Sequence, residues 1–372
     1  MSLHWPEIIF AAFCITAAVQ VFYYLYFFVR LAVYKKPTQE SSIQHAVSVI
    51  VCARDEAQNL ADNLPHVLQQ DYRSTFEVIT VNDNSFDDSK YVLEYLSKPF
   101  KNLRPIELKQ EARHIPGKKF PLSIGIKEAK HELLLLTDAD CKPVGSKWIE
   151  LMQGAFANGK EIALGYGSYY KKPGLLNKII RFETFLSALQ YFSYALAGMP
   201  YMGVGRNLAY KKELFFRNKG FSAQNQLPGG DDDLFINKVA TKLNTAIVID
   251  ADAFTVSEPK TKWSTWRSQK ARHYTTSKYY KASHQFLLGL FSFSLFLFYP
   301  LLVASMLFFN WWMALSVFGF RFILQGIIYY RCMDKLKEKD LFWMYPLLDI
   351  WQWFYYLLFA NSLFKKPATS WK

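Results

Sequence analysis

The apolar residues of this chain are gathered at its two ends, and that arrangement limits the folds open to it. Residues 5–33 read WPEIIFAAFCITAAVQVFYYLYFFVRLAV, well past the roughly 20 apolar residues that cross a bilayer. The run is too long for a signal peptide and no small-residue cleavage site follows it, so a retained transmembrane helix is expected. Three more apolar stretches lie at 286–309, 311–330 and 341–364, the last interrupted by Pro346 and Asp349. Trp and Tyr cluster at several of their ends, as an aromatic interfacial belt requires. The expected organisation is an N-terminal membrane helix (1–36), a soluble domain of mixed composition (44–281) and a C-terminal membrane region (286–364) of two to three helices.

Basic residues set the expected orientation. Arg30, Lys35 and Lys36 follow the first span, and no Lys or Arg precedes it. The positive-inside rule then gives a multi-pass protein of the cell (inner) membrane, with its central domain in the cytoplasm. Three C-terminal spans would place Lys365 and Lys366 outside, against the same rule, unless the last segment re-enters or lies in the interface. An acid inside a span is a functional candidate by default, but the sequence names no partner for Asp349. The formal net charge is +13. Membrane spans argue against nucleic acid as the partner; anionic headgroups or a phosphorylated substrate account for the charge better. Cys14, Cys52, Cys141 and Cys332 show no metal-like spacing and read as free buried thiols.

The central domain alternates. AVSVIVCA (46–53) is a β-branched run of the kind found in strands buried on both faces. A helical segment with Leu60, Leu64 and Leu68 on one face follows it. FEVITV (76–81) is a second strand, a weaker one lies near 103–108, and ELLLLT (132–137) is a fourth, with helical segments between them. This βαβαβαβ order predicts an α/β fold, a mostly parallel sheet with helices on both faces.

In such sheets ligands bind outside the carboxyl ends of the strands, and acids occupy those ends here. Arg54, Asp55 and Glu56 follow the first strand, Asp83 ends the second, and Asp138 and Asp140 follow the fourth. Acidic helix caps would explain one or two of them. They do not explain Asp138 and Asp140, because CKPVG follows and no helix starts there. Two carboxylates so close repel and are costly to desolvate, so a positive group belongs beside them. A hard divalent ion suits them, and such an ion commonly bridges to substrate phosphates. Neither GxxxxGK[ST] nor GxGxxG follows the first strand, so the ATPase and dinucleotide readings lack their fingerprint.

Taken in order, these motifs resemble those of the membrane-bound family 2 glycosyltransferases, whose GT-A (Rossmann-like) domain binds a nucleotide sugar. VSVIVCARDEAQNL is similar to the family's first strand and turn. VITVNDNSFDDS is similar to its second-strand motif, and PGKKFPLSIGIKEAKHELLLLTDAD to the stretch that leads into the DxD motif, here Asp138-Ala139-Asp140. LPGGDDDLFINK resembles the segment carrying the catalytic base, with Asp231 or Asp232 in that role. An N-cap would use the same residues. SQKARHY resembles the QxxRW motif of lipid glycosyltransferases, of the ceramide glucosyltransferase type, and of polysaccharide synthases. Gln269 and Arg272 match it, while His273 stands where the Trp usually is. GMPYMGVGRNLAYKKE (198–213) looks like the acceptor-side loop, and the apolar helix before it reads equally as a core or a membrane-surface element.

The resemblance implies an inverting, metal-dependent glycosyltransferase acting from a nucleotide-sugar donor on a lipid or saccharide acceptor at the membrane. It assigns Asp231 or Asp232 to catalysis. It assigns Ala53, Arg54, Asp55, Glu56, Asp83, Lys118, Asp138, Gln269 and Arg272 to the donor, and Asp138 and Asp140 to a divalent cofactor, Mn²⁺ or Mg²⁺. A processive polysaccharide synthase shares every motif, and a non-catalytic membrane scaffold is the rival of another class.

Overall fold

The N-terminal apolar run folds as one long helix: α1 (Trp5–Phe22), a π-helical stretch (Tyr23–Phe28) and α2 (Val29–Val33). This computed structural model describes residues 4–36, 44–109 and 116–359. The parallel core follows. Strands β1 (Val47–Ala53), β2 (Phe76–Asp83), β3 (Leu103–Leu108) and β4 (Leu133–Asp138) alternate with α3 (Ala57–Leu68), α4 (Ser89–Leu96) and α5 (Lys119–Glu128). Every residue of β1 is buried, as are Leu133 to Leu136 of β4. Each such leucine contributes roughly 1.5–3 kcal/mol through burial, which is why four can stand in a row at the centre of the sheet.

Beyond β4 the elements shorten: β5 (Cys141–Pro143), α6 (Trp148–Gly154), β6 (Ile162–Leu164) and β7 (Gly167–Tyr169). The long helix α7 (Leu175–Leu196) leads to β8 (Leu208–Lys211), α8 (Lys212–Arg217), α9 (Asp233–Val239), β9 (Thr245–Ile247) and β10 (Thr255–Ser257). The main sheet has seven strands in the order β3-β2-β1-β4-β8-β6-β9, and β5-β10-β7 form a second, small sheet. Only β8 runs against its neighbours in the main sheet. The sheet is therefore mostly parallel, as the alternation predicts, and GT-A-like, as the resemblance implies; strands of three or four residues gave no periodic signal.

Helix α7 is a core element rather than a membrane-surface one. Phe182, Phe185, Leu189 and Phe192 are buried, and so are Arg181 and Glu183. Helix α10 (Trp263–Tyr274) then leads to α11 (Ala282–Phe308), α12 (Trp311–Lys335) and, after a 3-10 turn (Lys339–Met344), α13 (Tyr345–Phe359). Among the described residues three helices are long and apolar enough to cross a membrane: Trp5–Val33, Ala282–Phe308 and Trp311–Lys335. Residues 341–359 of the third expected C-terminal span are described, as the end of the 3-10 turn and the 15 residues of α13; residues 360–364 of that expectation, and Lys365 and Lys366, lie outside the described residues.

The acid that interrupts this last segment has a partner. Asp349 takes a two-pronged contact from Arg321 at 2.5 and 3.2 Å. It also accepts hydrogen bonds from Tyr299 at 2.5 Å and Gln325 at 2.7 Å. Arg321 donates its Nε to Gln20 at 2.8 Å. Four helices, α1, α11, α12 and α13, thus meet at one dry ion pair. Asp349→Leu, which strands the guanidinium, is expected to cost about 3–5 kcal/mol. The double variant Arg321→Met/Asp349→Leu should recover most of that loss in detergent melting curves.

Candidate active site

Register brings the acids together. Ala53 pairs with Asn82 across β1 and β2, and Cys52 pairs with Asp138 across β1 and β4. The three strands therefore end on one edge, and the segments holding Ala53 to Glu56, Asp83, Asp138 and Asp140 face it together.

The β1 and β2 turns are laced to each other. The Asp55 N–H donates to Ser85 Oγ at 2.9 Å, and the Phe86 N–H donates back to Asp55 Oδ1 at 2.7 Å. The Ala57 N–H donates to Asp87 at 2.9 Å and the Glu56 N–H to Ser89 at 3.1 Å. Asp55 and Asn84 hold left-handed backbones at φ 53° and 51°, costly for residues other than glycine, and these bonds hold the turns in place. Asp83 is buried beside them, with the Arg54 guanidinium 3.9 Å away and an Asn84 amide hydrogen bond at 3.0 Å. The pair makes a polar floor with an acceptor and a cation side by side.

The positive charge beside Asp138 is Lys118. Its ammonium pairs with Asp138 and lies 3.9 Å from Asp231. A lysine at the N-cap of α5 has the wrong sign for the helix dipole, and the two acids supply the reason for it. Burial works against its charge, but Asp138 and Asp231 outweigh burial and hold the ammonium well above its usual range. Its loop is fastened to the acidic one. Lys119 donates to the carbonyls of Leu227, at 2.5 Å, and Gly229. Gly117, at φ 79°, lets Pro228 approach so closely that a Cβ there would sit 2.0 Å from the Pro228 carbonyl oxygen.

Three consecutive acids then divide the work. Asp232 is the N-cap of α9; its two oxygens accept from the Gly205 and Asp233 N–H groups, each at 2.7 Å. Asp233 is buried and accepts from Thr276 at 2.5 Å and Tyr280 at 2.8 Å. Asp231 faces Lys118. The capping role is thus real, and it belongs to Asp232. Thr276 and Tyr280 fasten the acidic turn to the segment after α10, which carries Gln269 and Arg272 about two turns and one turn upstream. The side chain of His273 lies outside the described residues.

Asp138, Asp140 and Cys141 offer donor atoms within 4.8 Å of one another. Burial raises the Asp140 carboxyl above its usual range, and the charge of Asp138 raises it further; that repulsion is what a cation would relieve. Arg206 opposes it. The guanidinium is held by the carbonyl of Gly167 at 2.9 Å, by Ser257 Oγ at 3.2 Å and over the Tyr169 ring at 4.4 Å. Arg206, Asp233, Thr276 and Tyr280 were not singled out from sequence, and Cys141 was read there as a free buried thiol. Of the first four, only Arg206, inside the glycine-rich 198–213 segment, and Asp233, third in an acidic run, carried any signal.

Burial raises the Asp232 carboxyl to about 7, with Asp231 and Asp233 adding repulsion. A folded-state pKa above the unfolded value means that folding favours the protonated form. The associated stability is present below about pH 4 and is lost as pH rises to about 7. Asp232→Asn gives up an acceptor but removes this dependence. Its stability relative to the parent should therefore rise between pH 5 and pH 8 in metal-free denaturation curves.

Residues 48–215 match the model of Glycosyl transferase family 2. Glycosyltransferase AglE of Haloferax volcanii is 31% identical over 105 residues, 28% of this chain and 33% of that protein; the chain thus spans about a third of the length of the curated relative it matches. A mannosyltransferase of Pyrobaculum calidifontis, solved in complex with GDP-Man and Mn²⁺, superposes with a TM-score of 0.59 at 17% identity. The match covers 93% of this chain and 99% of that one, and it is a likeness of fold.

Proposed function

We propose that this chain, which carries a family 2 glycosyltransferase domain of GT-A-like fold, moves a sugar from a nucleotide-sugar donor to a membrane-associated acceptor. A lipid is the acceptor the three membrane-length helices favour. The observation that carries the reading is the meeting of Asp138, Asp140, Lys118 and Asp231 at the carboxyl edge of the parallel strands. In such sheets that edge is the ligand-binding one.

Asp138 and Asp140 have the oxygen donors that suit Mn²⁺ or Mg²⁺. Bound there, the ion would act as a Lewis acid toward the leaving diphosphate. Asp83 and Arg54 offer an acceptor and a cation to the nucleoside end, and the backbone of Ala53 to Glu56 frames it. Asp231 takes the proton from the acceptor hydroxyl as general base. It suits the role better than Asp232, whose two oxygens are occupied by backbone N–H groups. Lys118 sets a fixed positive charge between base and carboxylates, where the charge of the departing diphosphate develops. Gln269 and Arg272, on the helix anchored to Asp233, complete the donor side. One displacement with one base gives inversion at the anomeric carbon. Arg30, Lys35 and Lys36 after the first span support a cytoplasmic position for this domain at the cell membrane by the positive-inside rule.

Membranes carrying the protein, incubated with labelled nucleotide sugars and Mn²⁺, should move label into an organic-soluble product. Asp231→Asn should lower kcat by about 10²–10⁴-fold with donor binding unchanged. Label in insoluble polymer would favour a polysaccharide synthase. Equal transfer by the variant would remove Asp231 from the mechanism.

A further inference from the structure

A groove of about 350 Å³ runs along the outer face of α12, lined by Phe322, Ile323, Gly326, Ile327, Tyr330 and Arg331, and closed on one side by Phe342 and Tyr345. Its walls are aromatic. Tyr345 stacks on Phe322 with ring centres 4.8 Å apart and on Phe342 at 5.2 Å, while Tyr330 meets Phe342 edge-on at 5.1 Å. Its floor is Gly326, where a Cβ would come 2.9 Å from the Tyr345 hydroxyl. The absence of a side chain there lets the Tyr345 hydroxyl close onto α12, which sets that wall of the groove tight against the helix. Ile323 and Ile327 stay 64% and 55% exposed along it.

From Phe322 to Arg331 the helix rises about 13 Å, close to half of a roughly 30 Å hydrocarbon layer. The groove is therefore one leaflet deep. Its charged end is the end facing the globular domain, because Glu338 and Asp340 just beyond it accept from Arg181 of α7 at 2.9 and 2.7 Å. Two other cations nearby are engaged. Lys339 pairs with Asp334 at 3.4 Å and Lys335 donates to the Tyr34 carbonyl at 2.7 Å. Among the described residues Arg331 makes no ion pair, and it is exposed at the rim.

We infer that this groove is a binding site for one anionic phospholipid of the domain-side leaflet, with its acyl chain along Gly326 and its phosphate at Arg331. Depth, apolar lining and an unneutralised guanidinium at headgroup level match that ligand together. A guanidinium grips phosphate oxygens through a planar fork of donors. The site rests on the membrane part of the functional reading and is independent of the sugar transferred.

The full-length protein would be released from nanodiscs containing phosphatidylglycerol and phosphatidylcholine, and its retained lipid read by native mass spectrometry. One phosphatidylglycerol per chain is expected, held about fivefold more weakly by Arg331→Gln, and displaced in Ile327→Trp, which fills the groove at an exposed position. Lys339→Gln, altering a cation already paired with Asp334, should retain it. Unchanged melting temperatures would show that each variant folds. Equal retention of the two lipids, or equal retention by parent, Arg331→Gln and Ile327→Trp, would overturn the site. So would an adduct that disappears on addition of the sugar donor, which would make it an acceptor. Extraction of the protein from membranes by alkaline carbonate would instead defeat the membrane reading itself.

Discussion

The ammonium of Lys118, paired with Asp138 and facing Asp231, is the interaction on which the site depends. Asp138 stands at the tip of a strand buried on both faces, and Asp231 at the start of a helix some ninety residues later. Asp138 also lies close to Asp140, and acids gathered in this way repel one another unless a cation lies among them. Lys118 supplies it from the N-cap of α5, where the helix dipole alone would reject a lysine. The neighbouring Lys119 reaches the carbonyls of Leu227 and Gly229, so the loop that brings the charge is the loop that carries the acidic turn.

The membrane-length helices and the domain are also joined by charged contacts. Arg181, buried in α7, is held by Glu338 at 2.9 Å beyond the end of α12. Lys36, after the first span, pairs with Asp250 at 2.8 Å. On α10, Trp266 and Lys270 converge on Glu183 of α7 at 3.2 and 3.3 Å, and Trp266 packs edge-on against Phe359 of α13 at 5.6 Å. The helix bearing Gln269 and Arg272 is therefore wedged between the α/β domain and α13. The Arg181–Glu338 pair is buried, and such pairs add little net stability but are costly to break singly, so it fixes one relative placement of the two parts, while Lys36–Asp250 is largely exposed.

What could be read in advance follows a simple divide. The strands β1, β2 and β4 were legible because burial on both faces demands unbroken apolar runs, and the acids stood out because nothing about stability asks for them at strand tips. Strands β5 to β10 were not legible, since three or four residues set no period. Asp231 and Asp232 could not be separated, because adjacent carboxylates look alike until their partners are placed. The Gly205 and Asp233 N–H groups claim Asp232 and leave Asp231 facing Lys118. Asp349 was visible as an oddity, while Arg321, 28 positions away, became its partner only through helix packing.

By itself, then, the sequence determined the membrane-length helices, the parallel α/β core and the carboxylates at its edge, because each is written in local composition and order. Tertiary structure alone decided which charge neutralises which acid, that α7 lies in the core, and that Tyr345 packs onto Gly326 beside a groove on α12. Those outcomes depend on distances between segments far apart in the chain, and pair energies that fall off over a few ångströms carry no trace in local pattern.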